Sequence, residues 1–475
     1  MFILECGIYE GKIKWIGKGD SDVSYIYSLL ENNLTITDWK FNPFTKKNEP
    51  NKIKLFDNNK FYTGLALMIK KMLLGFGYMS EIINNYDNIC ENAQLAVERI
   101  KSGLSIPMRQ YQIEATIKAI KKPFTMISLP TGTGKSLVIS ALLLADNTET
   151  IIIVDSKTLM TQLSENIRTF TGIKCGLVGD GNFAPKKWTV AIIDSLSGQR
   201  GEDFIRNCNA IYFDECHHAA ADSYREIVST GKDNILIRRG FSGTAFRNDN
   251  RTYLLPALTG PIVYHKTTSE MIDSGYLAKP HIIMPNIANF TSRATYYQQI
   301  YNSCIINNTY RNKIGIEALV ESAKKGNLAV GFVKNVQKHL PIIRNMLYSA
   351  FPKNQIGIIH GNVLSINRKR TLAEFASGDK RILLASVGTT GEGIDLPGIT
   401  KVGVNFAGGC SEIMIRQMLG RVLRKPKTEN GEIDVNKPFH VWWLDFYDRT
   451  HPEMERQSSI RYDIYASEPA FIMED

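Results

Sequence analysis

Three short segments carry residue types that could act on a phosphoanhydride. The first is Leu129-Pro130-Thr131-Gly132-Thr133-Gly134-Lys135-Ser136. Its glycines let backbone N–H groups turn inward around phosphate oxygens, and a helix starting at its end would add a favourable dipole. Lys135 can then reach the β and γ phosphates, and the Ser136 hydroxyl can ligate Mg2+. The pattern G-x-x-x-x-G-K-[ST] is met everywhere except its first position, which is Leu129. The second segment is Asp214-Glu215-Cys216-His217. Adjacent carboxylates at a strand end suit two jobs: Asp214 to hold Mg2+, Glu215 to orient and deprotonate an attacking water. His217 and His218 adjoin Cys216, but no fourth ligand stands at a spacing that would make a structural zinc site. The third is Gln417-Met418-Leu419-Gly420-Arg421-Val422-Leu423-Arg424. Two arginines three apart are expected on one side of a helix. Their guanidinium groups can stabilise charge developing on a transferred phosphoryl group. Taken singly, each segment has a plainer reading: a Gly-rich turn, an acidic strand end, a solvated basic helix. Together they point to nucleotide hydrolysis.

These residues need a frame. From about residue 106, β-branched apolar runs alternate with helical stretches: Thr125–Leu129, Ile151–Val154, Thr189–Ile193, Ala210–Phe213 and Ile235–Phe241. A second series follows at Leu328–Val333, Gln355–Ile359, Ile382–Ala385, Lys401–Asn405 and Phe439–Leu444. Strands without polar alternation, separated by helices, indicate parallel sheets covered on both faces. Two such series make two α/β domains. The phosphate loop follows the first strand of the first series, and the paired carboxylates close its fourth.

The region before residue 105 has a different texture. Short β-rich runs (Ile13–Ile16, Leu34–Phe41, Lys52–Phe56) precede an amphipathic stretch, Gly64–Gly75, with Leu65, Met68, Ile69, Met72 and Leu73 at helical spacing. Lysines outnumber acids between residues 36 and 71, with Trp39, Phe44 and Tyr62 interleaved. A solvated face and a nucleic-acid surface explain that patch equally well. Residues 86–105 read as a polar, helical linker, and the last twenty residues have no legible role.

Composition sets the bounds. The 475 residues carry 57 Lys+Arg against 47 Asp+Glu, a formal charge of +10, which permits a polyanionic partner without proving one. No apolar run approaches the roughly 18–20 residues that span a bilayer. Leu137–Ala145, the longest candidate, is half that. The start, Met-Phe-Ile-Leu-Glu-Cys-Gly, lacks the features of a secretory signal, so a cytoplasmic protein is expected. Seven unclustered cysteines argue against a disulfide framework.

The three segments, in this order, resemble motifs I, II and VI of superfamily 2 helicases and translocases. Intermediate motifs are present as well. Arg109-Gln110-Tyr111-Gln112 is similar to the upstream adenine-reading element, Val154–Leu159 to motif Ia and Ile193–Leu196 to motif Ic. Gly240–Arg247 resembles motif III, with Gly243 and Ala245 where the family usually has alanine and proline. Val330–Val333 resembles motif IV, Ile359-His360-Gly361 the element after it, and Ser386–Pro397 motif V. The D-E-C-H box is most like the restriction-enzyme and DNA-repair branch. Within the first hundred residues, Phe41-Asn42-Pro43, Lys52–Asp57, Gly64-Leu65 and Ile69–Tyr78 resemble the accessory domain of UvsW-type phage recombination helicases.

The resemblance implies two tandem RecA-like parallel-sheet motor domains preceded by a small α/β accessory domain. The expected spans are 1–104 (duplex-DNA-binding, with linker), 105–268 and 269–475. It implies an ATP-dependent DNA helicase acting on branched DNA, with ATP and Mg2+ at the cleft between the motor domains. Arg109, Gln112, Thr131, Gly132, Thr133, Gly134, Lys135, Ser136, Gly393 and Asp395 would face the nucleotide. Arg424 would be the γ-phosphate finger, Arg421 its neighbour and Gln417 a water-positioning group. Ser156, Lys157, Ser195, Lys334, Thr389 and Thr390 would grip a nucleic-acid strand through its phosphates, independently of sequence. Lys52, Lys54, Lys70 and Lys71 would line the duplex surface of the accessory domain. Single-strand-binding and recombination proteins are the candidate protein partners, no membrane is involved, and the compartment would be a host cytoplasm if the gene is a phage's. The competing readings are an RNA helicase, a duplex translocase subunit of a restriction-type complex, and a motor retained only for binding. The intact Lys135, Asp214, Glu215 and Arg424 argue against the last.

Overall fold

The computed structural model describes residues 1–16, 21–42, 47–85, 93–216, 222–243, 253–388, 396–428 and 432–474. It divides into two compact units, Met1–Leu129 with Gly134–His265, and Lys266–Asp475 with Pro130–Thr133.

The first unit contains two large sheets. An eight-stranded sheet runs in the order Asn182–Ala184, Gly176–Gly179, Trp188–Ile192, Thr150–Val154, Ala210–Phe213, Ile237–Ser242, Phe124–Ser128, Ile262–His265. Every pairing is parallel except the edge hairpin Gly176–Gly179/Asn182–Ala184. Phe124–Ser128, Thr150–Val154 and Ala210–Phe213 are buried along their whole lengths, as expected of central strands covered on both faces. A smaller five-stranded sheet is built from residues 2–84, in the order Phe56–Asp57, Lys60–Tyr62, Glu10–Trp15, Phe2–Cys6, Ser80–Asn84. Beside it lie the hairpin Thr35–Asn42/Lys47–Lys54 and the helices Ser21–Asn33 and Ala66–Gly75.

The two sheets share one continuous hydrophobic core, from Phe2, Leu4 and Leu65 through Leu254 and Leu258 to Met126, Ile151 and Phe213. The small-sheet region meets the large one closely. A Cβ on Gly64 would fall 1.8 Å from the Pro256 carbonyl oxygen, so only glycine fits there. Arg238 Nη2 donates to Ile8 O at 2.8 Å, with its guanidinium over the Phe124 ring (4.4 Å).

In the second unit seven strands, all parallel, run in the order Ile356–Ile359, Ile382–Ser386, Leu328–Val333, Thr400–Asn405, His440–Leu444, Lys279–Ile283, Ile472–Glu474. The chain's last residues thus have a structural role: the helix Pro452–Ala466 packs inward and the strand Ile472–Glu474 extends the sheet. That helix buries Gln457, Ser458 and Arg461 among its inward residues, so its buried face is largely polar and leaves no apolar stripe to read. Among the described residues no helix is long and apolar enough to cross a membrane.

Candidate functional site

The phosphate loop leaves the buried strand Phe124–Ser128 and enters the helix Lys135–Asp146. Gly132 and Gly134 adopt φ of +88° and +80°, a conformation that L side chains rarely take. At Gly134 a Cβ would also come 2.8 Å from Gln112 Nε2, so the loop is a cradle that a side chain would fill. Thr133 Oγ1 donates back to Pro130 O at 2.7 Å and closes the turn.

The second carboxylate segment arrives on a neighbouring element. Asp214 and Glu215 follow the strand Ala210–Phe213, and Glu215 has φ +49°, a strained value for a side-chain-bearing residue. That turn brings Glu215 Oε1 to 3.3 Å from Lys135 Nζ, both side chains largely sheltered from solvent. Lys135 Nζ also donates to Leu129 O at 3.3 Å. Asp214 Oδ1 accepts from Glu215 N at 3.1 Å. Desolvation first, and the neighbouring negative charge of Glu215 second, push the Asp214 carboxyl above its ordinary range, while Lys135 pulls it down. Such a carboxylate is short of positive charge, which a divalent cation beside the Ser136 hydroxyl would supply; the donor set fits Mg2+. Cys216 is fully buried, and desolvation raises its thiol pKa, so it behaves as an inert core residue.

Sequence reasoning missed several supports of this site. Asn166, from the helix Lys157–Thr171, donates through Nδ2 to Ser136 Oγ at 3.4 Å and helps fix the hydroxyl. Tyr224 donates to Asp155 Oδ1 at 2.6 Å and thereby ties the helix Asp222–Thr230 to the motif Ia segment. Asp146, at the far end of the phosphate-loop helix, receives both Nε and Nη2 of Arg239 at 2.6 Å and the Tyr212 hydroxyl. Arg239 also donates to Ala119 O (2.8 Å) and Thr125 Oγ1 (3.0 Å). This buried cluster joins the loop helix to the strands that carry the loop and the carboxylates. Its visible signal was an Arg-Arg pair inside an otherwise apolar strand, Ile237–Ser242.

The upstream element is tied to the phosphate loop. Arg109 N donates to Gln112 Oε1 at 2.9 Å, and Gln112 Nε2 donates to Gly134 O at 3.4 Å. The Gln112 amide is therefore a strut between the helix Gln110–Ile120 and the phosphate loop, while the Arg109 guanidinium donates to the Tyr111 hydroxyl at 3.0 Å.

In the second unit, Gln417 and Arg421 lie on the helix Glu412–Val422, half-buried and buried respectively. Arg424 lies beyond the end of that helix. The helix is capped at Leu423, because Pro426 disfavours helical backbone at Lys425 and the chain turns out before it. Arg424 then forms an isolated antiparallel bridge with Leu277, and Ala278 N donates to Leu423 O at 2.7 Å. The expectation that both arginines lie on one helix is corrected accordingly: Arg421 is helical and Arg424 is not.

Of the expected strand-gripping residues, Ser156 caps a helix by accepting from Leu159 N (3.3 Å), and exposed Lys157 pairs with Asp180 at 2.5 Å. Ser195 is half-buried in the short turn Ile193–Leu196, and Lys334 is exposed directly after the strand Leu328–Val333. Lys52, Lys70 and Lys71 are exposed. Lys54 is held by Glu31 and by Asp57 (3.2 Å), so its charge is compensated locally. Thr389, Thr390, Gly393, Asp395, His217, His218 and residues 244–247 of motif III lie outside the described residues.

Residues 105–247 match the family model "Type III restriction enzyme, res subunit", and residues 312–426 match "Helicase conserved C-terminal domain". The chain is a superfamily 2 helicase. Its two parallel-sheet regions are the tandem RecA-like domains of such an ATP-dependent motor. Over 416 residues, 81% of this chain and 92% of the relative, the helicase is 26% identical to the "DNA 3'-5' translocase XPB2" of Sulfurisphaera tokodaii. The structure of Saccharomyces cerevisiae Dbp5 bound to RNA and ADP BeF3 has the same fold: 15% identity, 82% of this chain and 94% of that one, TM-score 0.54. T4 UvsW aligns over 100% of this helicase and 99% of its own chain at 22% identity, with TM-score 0.46. At that score the shape adds nothing to the sequence resemblance.

Proposed function

We propose that this helicase couples ATP hydrolysis to movement on DNA and acts on branched molecules: forks, four-way junctions, R-loops and D-loops. The observation that carries the motor reading is the approach of Lys135 to Glu215 at 3.3 Å, beneath a glycine loop too tight for side chains. In this reading Lys135 and the loop N–H groups bind the phosphates, and Glu215 orients water and accepts its proton. Ser136 and Asp214 would hold Mg2+, which when bound neutralises phosphate charge. Arg421, Arg424 and Gln417, with Gly393 and Asp395, keep the roles that the family resemblance gives them. DNA is supported by the 26% identity to a relative named as a DNA translocase. The same name favours a second reading, translocation along duplex without strand separation. Branch specificity rests on the accessory-domain resemblance.

The lysines Lys52, Lys70 and Lys71 are the proposed duplex contacts of that accessory region. Deleting residues 1–104 would strip the shared core of the first unit, so substitution is the sounder test. Lys70→Glu with Lys71→Glu should weaken fork binding on the order of tenfold at low salt, since each phosphate contact contributes about one counterion to the salt slope. Basal ATP hydrolysis should stay unchanged. Unaltered fork affinity, measured by fluorescence anisotropy, would remove the accessory surface from the proposal.

A further inference from the structure

Just ahead of the Helicase C-terminal match, the chain leaves two aromatic rings in solvent. Tyr296 is 73% exposed and Tyr297, in the next position, 46%. Tyr297 stacks on Tyr301, ring centroids 6.2 Å apart and planes 27° from parallel. Tyr301 is buried, and its hydroxyl donates to Ala407 O at 2.7 Å, so the stack is anchored in the unit. Lys334 Nζ lies 5.9 Å from the Tyr301 ring centroid.

The location has a meaning in this fold. Lys334 follows the strand Leu328–Val333 and Ala407 follows Thr400–Asn405, its parallel neighbour. Tyr301, on which Tyr297 stacks, therefore stands at the carboxyl ends of two adjacent strands, the edge at which parallel α/β sheets bind ligands. The charge there suits a polyanion. No Asp or Glu occurs between Pro285 and Glu317, and Arg293 is exposed three residues before Tyr296. Flat exposed rings beside cations are the pattern that holds single-stranded nucleic acid, bases on rings and phosphates on basic groups.

We infer that Tyr296 and Tyr297 form a stacking platform for the bases of an unpaired DNA strand, whose phosphates Lys334 and Arg293 neutralise. The inference rests on the DNA reading above and adds to it a single-strand site in the second unit. Paired bases are stacked on one another and cannot use it, so the site distinguishes unpaired strand from duplex.

The test compares full-length wild type with Tyr296→Ala, the double variant Tyr296→Ala/Tyr297→Ala, and Tyr296→Phe/Tyr297→Phe. Affinity is measured by anisotropy on a labelled thymidine oligonucleotide and on linear duplex. The double alanine variant should lose about fivefold or more in single-strand affinity, the low end of one stacked base. Tyr296→Ala alone should lose part of it, the phenylalanine variant should match wild type, and duplex affinity should not move. Single-strand affinity unchanged in both alanine variants overturns the platform, as does an equal loss on duplex. A wild-type protein that binds neither polymer overturns the DNA reading itself, whatever the tyrosine variants do.

Discussion

Lys135→Ala is expected to lower ATP turnover by about two to three orders of magnitude, the usual cost of removing one well-placed charge-stabilising donor. Among the described residues, Lys135 is the cation that pairs with Glu215, at 3.3 Å. Its loss also leaves Asp214 and Glu215 as adjacent carboxylates without the cation that lowers the Asp214 pKa. Exposed basic residues elsewhere are untouched, so DNA affinity without nucleotide should change little. Steady-state phosphate release and anisotropy separate the two effects. Full turnover in the variant would remove the site assignment.

The largest expected effect on stability lies in the second unit. Arg461, on the helix Pro452–Ala466, donates to both Asp445 carboxylate oxygens (3.1 and 3.0 Å), to Phe446 O and to Gly409 O (2.7 Å each). Asp445 also accepts from the Tyr465 hydroxyl (2.8 Å) and Asn405 Nδ2 (3.0 Å), and Arg311 pairs with Asp448 at 2.9 Å. All of these residues except the half-buried Gly409 are buried. Breaking such a pair leaves a desolvated charge, a cost of about 3–5 kcal/mol. For a unit of this size, Arg461→Ala should lower the melting midpoint on the order of 10 °C. A shift of about 2 °C or less in calorimetry would show that the network is not a main support.

The same melts carry a pH signature. Burial, with Arg311 adding repulsion, lowers the His339 pKa to about 3, and the ring bonds Asn312 Oδ1 at 3.0 Å. The unfolded chain takes up this proton below about 6.5 and the folded one does not until near 3, so stability falls as pH drops through that window. The slope from this one group approaches about 1.4 kcal/mol per pH unit.

The chemistry was legible in the sequence because it is local. A glycine loop, a strand ending in Asp-Glu and the apolar runs between them are set by a few neighbouring residues, and each appears where spacing places it. Other features were hidden for physical reasons. The helix Pro452–Ala466 turns polar residues inward, so hydrophobic periodicity is silent on it. The hydrogen bonds of Gln112 to Gly134 and of Arg239 to Asp146 join residues 22 and 93 positions apart, which no local pattern shows. The end of the Glu412 helix depended on Pro426, two residues beyond Arg424, and a three-residue spacing alone could not show it.

We propose an ATP-driven motor selective for branched DNA. Its most direct test is the ATPase rate with no polymer, single-stranded DNA, linear duplex, fork, four-way junction, R-loop and RNA. Greatest stimulation by forks and junctions, with strands released, is the expected result. Stimulation by RNA alone, or equal rates on linear duplex and forks, would contradict it.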